Sequence, residues 1–344
     1  MMFTTTNNLD YLATRLHARR SRMAEAERLD ALCKIRTIPE LSRAVRLDAD
    51  YQAVAEFQRR LVQDLVWELA SWVRHVGGAG GEVFAWILAR FQVENMKTLV
   101  RGLVNLTSPE VLQAHLVTLP EGLALDVTGL AAAKSLEDFV ELLPPGTPRQ
   151  RLSEAVTIHR DHPQPFFLEA ALDCGYFQEL LAKIRQLSGE DQAVVRALVL
   201  HEANFFQFML AVRGRFHFDL PADALLVFRL PGVFDNWFKI LLTAADMLAA
   251  AKSSVGIVFD ELPAEQGSDE VALESLAWKR FLRLANGTFR RDHMGLGAVI
   301  GYAGLRRVET ANLITLSEGI RIGLTAEAIR ARLIPRKALE AAYV

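Results

Sequence analysis

Apolar side chains recur at three- and four-residue intervals along almost the whole chain, and no stretch of four to eight residues alternates as a half-buried strand would. Ala53, Phe57, Leu61, Leu65, Leu69, Trp72 and Val76 step along one helix face until Gly77-Gly78 closes the run. Within residues 91–103, Met96, Leu99, Val100 and Leu103 form a second stripe, and residues 192–212 are apolar on most sides, as a helix surrounded by others must be. The fold class that follows is all-α.

Breaks fall at residues 77–81, at Pro144-Pro145-Gly146-Thr147-Pro148, at Pro231-Gly232, and in the acidic stretch 260–270, which reads as an exposed loop. They divide the chain into pieces of comparable size, so the pieces are compared for internal repetition. Asn95, Gln207 and Asn312 superpose, each with a glycine seven positions later at Gly102, Gly214 and Gly319. Thirteen positions on stand Ser108, Leu220 and Thr325, and one further Pro109, Pro221 and Ala326 open short helices with a carboxylate in the first turn. In the middle copy Leu220 cannot cap, so Asp219 is expected to do so. An opening element recurs at residues 38–47 and 135–144. The expected modules are 1–120, 121–230 and 231–344.

Composition narrows the function classes. Half the 344 residues are apolar and the formal charge is −2, which gives no global attraction to nucleic acid or to an anionic bilayer. Cys33 and Cys174 belong to no redox or metal-ligand spacing, which fits a reducing compartment. Residues 1–22 are interrupted by Asp10, Arg15, His17, Arg19 and Arg20 and do not read as a secretory leader. The most apolar stretch, 237–251, contains Lys239 and Asp246, is too short to span a bilayer and reads as one buried helix. A mean hydropathy of +0.15 suggests apolar surface covered by partners.

No motif commits the chain to chemistry. His159-Arg160-Asp161-His162 offers imidazoles three apart, but Pro163 follows and there is no His-Glu-x-x-His, so a polar surface turn is the plainer reading. The glycines at 77–81 lack the Gly-Lys-Ser/Thr ending of a phosphate loop and read as a helix-hairpin turn. His201-Glu202 invites a general-base role, yet no nucleophile accompanies it, and a satisfied core or interface pair is the better reading. Phe205, Phe206 and Phe208 read as core, and Arg290-Arg291-Asp292-His293 as a short basic loop. No cofactor, nucleotide or metal is expected.

The residues that carry the repeat also carry a resemblance. FQVENMKTLVRGL, from Phe91, is similar to a recurrent Asn-Leu-Lys-Thr-Leu-Leu-Arg-Gly stretch in the family of the V-type ATPase C subunit, whose eukaryotic members are called d. ETANLITLSEGIRIGLTAEAIRARLI, from Glu309, resembles that family's final copy, and LDCGYFQELLAKI, from Leu172, the element before its middle copy. Two positions depart from the pattern: Gln207 replaces Asn, and Glu318 stands where the other copies have Arg101 and Arg213.

The resemblance implies a funnel of three helical modules about a pseudo-three-fold axis. It implies a non-catalytic adapter at the cytoplasmic face, with the central shaft in its mouth and the membrane proteolipid ring against its other face. Asn95, Arg101, Arg213, Asn312 and Arg321 are the shaft-interface candidates, the arginines because a guanidinium fork grips carboxylates in a fixed orientation. Without the resemblance, an all-helical enzyme with a buried polar pocket and an unrelated helical scaffold remain as alternatives.

Overall fold

A computed structural model describes residues 8–232, 235–262 and 269–335 of the chain. It is all-helical, and among the described residues the one β feature is an isolated bridge between Val255 and Phe259. The acidic stretch 260–270 is described only at its ends, and residues 263–268 lie outside the described residues.

Three long helices carry the repeated amides: Arg90–Val104, Gly189–Val212 and Leu296–Arg321. These anchor helices pack with three supporting helices, Val54–Ala70, Pro165–Ile184 and Glu270–Arg291. The pairing is cyclic. The first anchor packs on the second supporting helix, the second anchor on the third, and the third anchor returns to the first. Three shorter helices obey the same rule: Leu136–Leu142 lies on the first anchor, Asp235–Thr243 on the second, and Ile38–Ala44 on the third. Two of these are the opening elements legible in the sequence, capped by Ser135 and by Thr37, whose hydroxyls accept from Asp138 N–H at 3.0 Å and Glu40 N–H at 3.4 Å. The third, Asp235–Thr243, has no such signal.

Each anchor ends on the same construction. Gly102, Gly214 and Gly319 lie against Leu112, Leu225 and Ile329 of the next short helix, so closely that an added Cβ would come within 2.2, 2.7 and 2.6 Å of those side chains. The chain then reverses through a residue of left-handed backbone: Leu106 (φ 54°), Asp219 (φ 50°) and Gly323 (φ 71°). From the glycine to this residue the middle copy is one residue longer. The extra residue is taken up by a π-helical turn, Arg213–His217, in which Phe218 N–H reaches the Arg213 carbonyl at 2.9 Å. This corrects the sequence alignment: Asp219 makes the reversal and does not cap, and Pro221 occupies the N-cap position of Ala222–Leu226.

Four other expectations are revised. Residues 237–251 form no single helix, because Asp246 accepts from Ala249 N–H at 2.7 Å and starts a new one, Met247–Lys252, after Asp235–Thr243 ends. Of the glycines at 77–81, only Gly77 and Gly78 turn the chain; the rest enter Gly78–Leu88, where a Cβ at Gly81 would lie 2.2 Å from the Val76 carbonyl oxygen. Arg290 and Arg291 belong to the last turn of a supporting helix, and Asp292, just after it, accepts from Gly297 N–H at 2.8 Å in the first turn of the next helix. His159 lies in the last turn of the helix Thr147–Asp161, with its Nδ1 3.1 Å from the Gln164 carbonyl.

One large apolar cluster joins all three anchors. A smaller one unites Leu29, Leu32 and Leu41 near the chain start with Leu313, Leu316 and Ile329 of the third copy. The seam between first and third copies is therefore sealed by residues nearly three hundred positions apart.

Candidate functional site

The repeated amides fasten the anchor helices that border the site. Asn95 Nδ2 donates to the Val117 carbonyl at 2.8 Å while its Oδ1 accepts from Val117 N–H at 3.0 Å. Asn312 grips Ile334 in the same way, at 2.8 and 2.7 Å. Gln207, one methylene longer, spans the Phe228 carbonyl and Leu230 N–H at 2.9 and 3.1 Å. All three are buried, and each fastens the far end of the next short helix to the anchor it came from. Gln in place of Asn suits the middle copy, whose two backbone partners lie on different residues.

Between anchors and supporting helices lie two adjoining cavities of about 540 and 260 Å³, which share Lys97, Asp173, Phe206, Met209 and Arg213. Five positions before each anchor amide stand Arg90, Glu202 and Arg307, and all three line the smaller cavity. Arg307 Nη1 donates to Glu202 at 2.5 Å, and Arg90 faces Asp173 at 3.6 Å. Burial alone would lower the Arg90 guanidinium, but Asp173 and Glu94 outweigh it and hold the group above its ordinary value.

Six positions after the amides, the side chains reach across to the next supporting helix. Arg101 donates through Nε and Nη2 to the two oxygens of Glu169, both at 2.8 Å, and Arg213 Nε donates to Glu270 at 2.7 Å. In the third copy Glu318 accepts from Gln58 Nε2 at 2.7 Å, so the departure from arginine keeps the cross-helix bond and reverses its donor. Lys97 adds a pair with Asp173 at 3.1 Å. Cations and carboxylates lining the two cavities are equal in number, five of each, so the interior is balanced in charge. Phe205, Phe206, Trp278 and Phe281 supply an aromatic wall; of the phenylalanines read as core, Phe208 is buried while Phe205 and Phe206 face the cavity.

The five candidates therefore divide. Arg101 and Arg213 both line the larger cavity, Asn95 and Asn312 are buried and line neither, and Arg321 pairs with Glu318 at 2.7 Å and lines neither. His201 and Glu202 do not pair with each other. His201 donates from Nε2 to the Ala277 carbonyl at 3.0 Å, and its buried Nδ1 has no hydrogen-bond partner. Arg90, Lys97, Asp173 and Arg307 were not reached by sequence reasoning, although counting five back from each amide finds both arginines. Among the described residues no three metal-binding side chains gather, and no helix is long and apolar enough to cross a membrane.

Fold and site together define a class: an all-helical repeat protein whose modules close on one another around a lined cavity. The ATP synthase (C/AC39) subunit family model matches residues 12–332, and the chain belongs to that family. Its relatives include the C subunit of the A-type ATP synthase of Methanosphaera stadtmanae, 22% identical over 329 residues, which cover 90% of this chain and 83% of the relative. The protein of the same name from Haloquadratum walsbyi is 25% identical over 199 residues, covering 52% of this chain and 54% of the relative.

Proposed function

We propose that this chain is a non-catalytic central-stalk adapter of a rotary A/V-type ATPase or ATP synthase. It receives the central shaft in a funnel built of the three modules about a pseudo-three-fold axis. It rests on the cytoplasmic ends of the proteolipid ring, held at the membrane through the complex. The observation that carries the reading is the cyclic closure: each anchor is bonded to the next supporting helix at the matched sixth position, and the third returns to the first. A part that transmits torque must resist shear at every internal seam, and amide clamps fixed at both ends supply that stiffness without covalent chemistry.

Arg101 and Arg213 are the shaft-facing residues in this reading, with Asn95 and Asn312 holding the walls and Arg321 outside the cavities. Arg213 meets Glu270 through Nε and Arg101 meets Glu169 through Nε and Nη2, which leaves further guanidinium N–H groups for a partner carboxylate without breaking either internal pair. Replacing Arg101 and Arg213 together by Ala is expected to weaken shaft binding by about 1–3 kcal/mol. Helical content should hold, since pairs this exposed add roughly 1 kcal/mol or less to stability. A pull-down with the shaft subunits beside circular dichroism decides it: unaltered binding by a folded double variant removes the contact. Absence of the chain from a detergent-solubilised complex containing shaft and ring would remove the adapter role itself.

A further inference from the structure

We propose that a separate cavity, on the seam between the third anchor and the first supporting helix, is a binding site for a phosphate-bearing anion. The cavity encloses about 330 Å³ and is lined by five arginines, Arg19, Arg22, Arg28, Arg46 and Arg306, against three carboxylates. All three carboxylates are already engaged. Glu68 accepts from Arg19 at 2.7 Å, from Arg306 at 3.0 Å and from the Tyr302 hydroxyl at 3.1 Å. Glu309 accepts from Arg306 and from Ala24 N–H, the latter at 2.5 Å, and Asp64 is paired with Arg60 at 3.0 Å.

Arg22, Arg28 and Arg46 are left without a carboxylate among the described residues; Arg28 donates to the Arg22 carbonyl, which ties the intervening turn. Five guanidinium groups against three carboxylates leave the cavity with an excess of positive charge, and Arg22 and Arg46 are exposed, where an anion can reach them. A tetrahedral dianion with three acceptor oxygens is the complement of several convergent guanidinium forks.

The backbone at Arg46 provides a handle for the test. Arg46 follows the helix Ile38–Ala44 and its cap Val45, and takes the left-handed conformation, φ 62°, while Leu47 N–H closes the reversal on the Ser42 carbonyl at 3.0 Å. Glycine ends a helix without strain at this position; Leu106 and Asp219 take the same left-handed backbone at other helix ends, and Arg46 differs from them in that its cationic side chain lines an arginine-rich cavity. The inference does not depend on the docking reading: the central cavities balance their charges, and this one does not.

The site recognises a phosphoryl group, carried on a free anion or on a lipid headgroup. Full-length chain is titrated calorimetrically with inorganic pyrophosphate, free of Mg²⁺, against a chloride control of matched ionic strength. It is also co-sedimented with phosphatidylcholine vesicles with and without phosphatidic acid. Binding in the first arm alone identifies a free anion, in the second alone a headgroup, and in both the phosphoryl group itself. Arg46→Gly relieves the backbone and should raise the melting temperature by about one degree, so the R22Q/R46G variant remains folded. It should bind at least about tenfold more weakly, and wild-type binding should fall as salt rises. Absence of binding in both arms, or unchanged binding by the double variant, overturns the proposal.

Discussion

A primary amide is the smallest side chain that can give a hydrogen to one backbone carbonyl and take one from a backbone N–H at the same time, and Asn95, Gln207 and Asn312 each spend both bonds this way. Asn312→Leu keeps the branched shape and removes both bonds, leaving the partly buried Ile334 N–H and carbonyl without their partners. The expected loss is about 2–4 kcal/mol in urea unfolding, whereas Arg321→Ala, at an exposed pair, should change it by less than about 0.5 kcal/mol. His201 gives a pH signature. Burial pushes its imidazole down to about 4 from an ordinary 6.5, so between those values the unfolded chain holds a proton that the folded chain does not. Stability should therefore be full above pH 6.5 and decline as pH falls toward 4, by up to about 3 kcal/mol from this group. In His201→Phe that slope should flatten, and equal slopes in the two proteins would exclude His201 as its origin.

At the scale of elements, helix periodicity and glycine spacing were legible because both record local geometry. The seven-residue step from amide to glycine survives in all three copies, since the glycine must meet Leu112, Leu225 or Ile329 at closest approach. The π turn was not legible. An added residue inside a helix leaves no composition mark, and only the left-handed positions of Leu106, Asp219 and Gly323 show the register has moved by one. Nor were Lys97–Asp173 and Arg90–Asp173, because pairs that join different modules have no fixed sequence spacing. The reversal itself is testable: Leu106 is 91% exposed and left-handed, so Leu106→Gly should stabilise by about 0.5–1 kcal/mol. Gly301→Ala should cost more than Gly102→Ala. The new methyl meets Phe289 backbone at 2.5 Å in the first and a movable leucine side chain in the second, and chemical denaturation of the two would rank them.

For the whole molecule, three seams are not equivalent in how they are held. The seam between third and first copies gathers Glu68, Arg306, Tyr302 and Arg19 in one network, with Arg306 held above its ordinary value because Glu309 and Glu68 overcome its burial. Glu68→Ala leaves that guanidinium short of a partner and should cost about 3 kcal/mol. In that variant amide exchange should rise first in Val54–Ala70 and Leu296–Arg321, and uniform acceleration across all anchors would contradict a loss confined to this seam. The same closure sets an order on synthesis. Gln58 bonds to Ser317 and to Glu318, 260 positions later, so Val54–Ala70 must wait for the third copy to be made before its apolar face is covered. During that interval Phe57 and Leu61, later buried, have no native neighbour from the third copy, and a nascent chain arrested before residue 313 would be the form most in need of a chaperone.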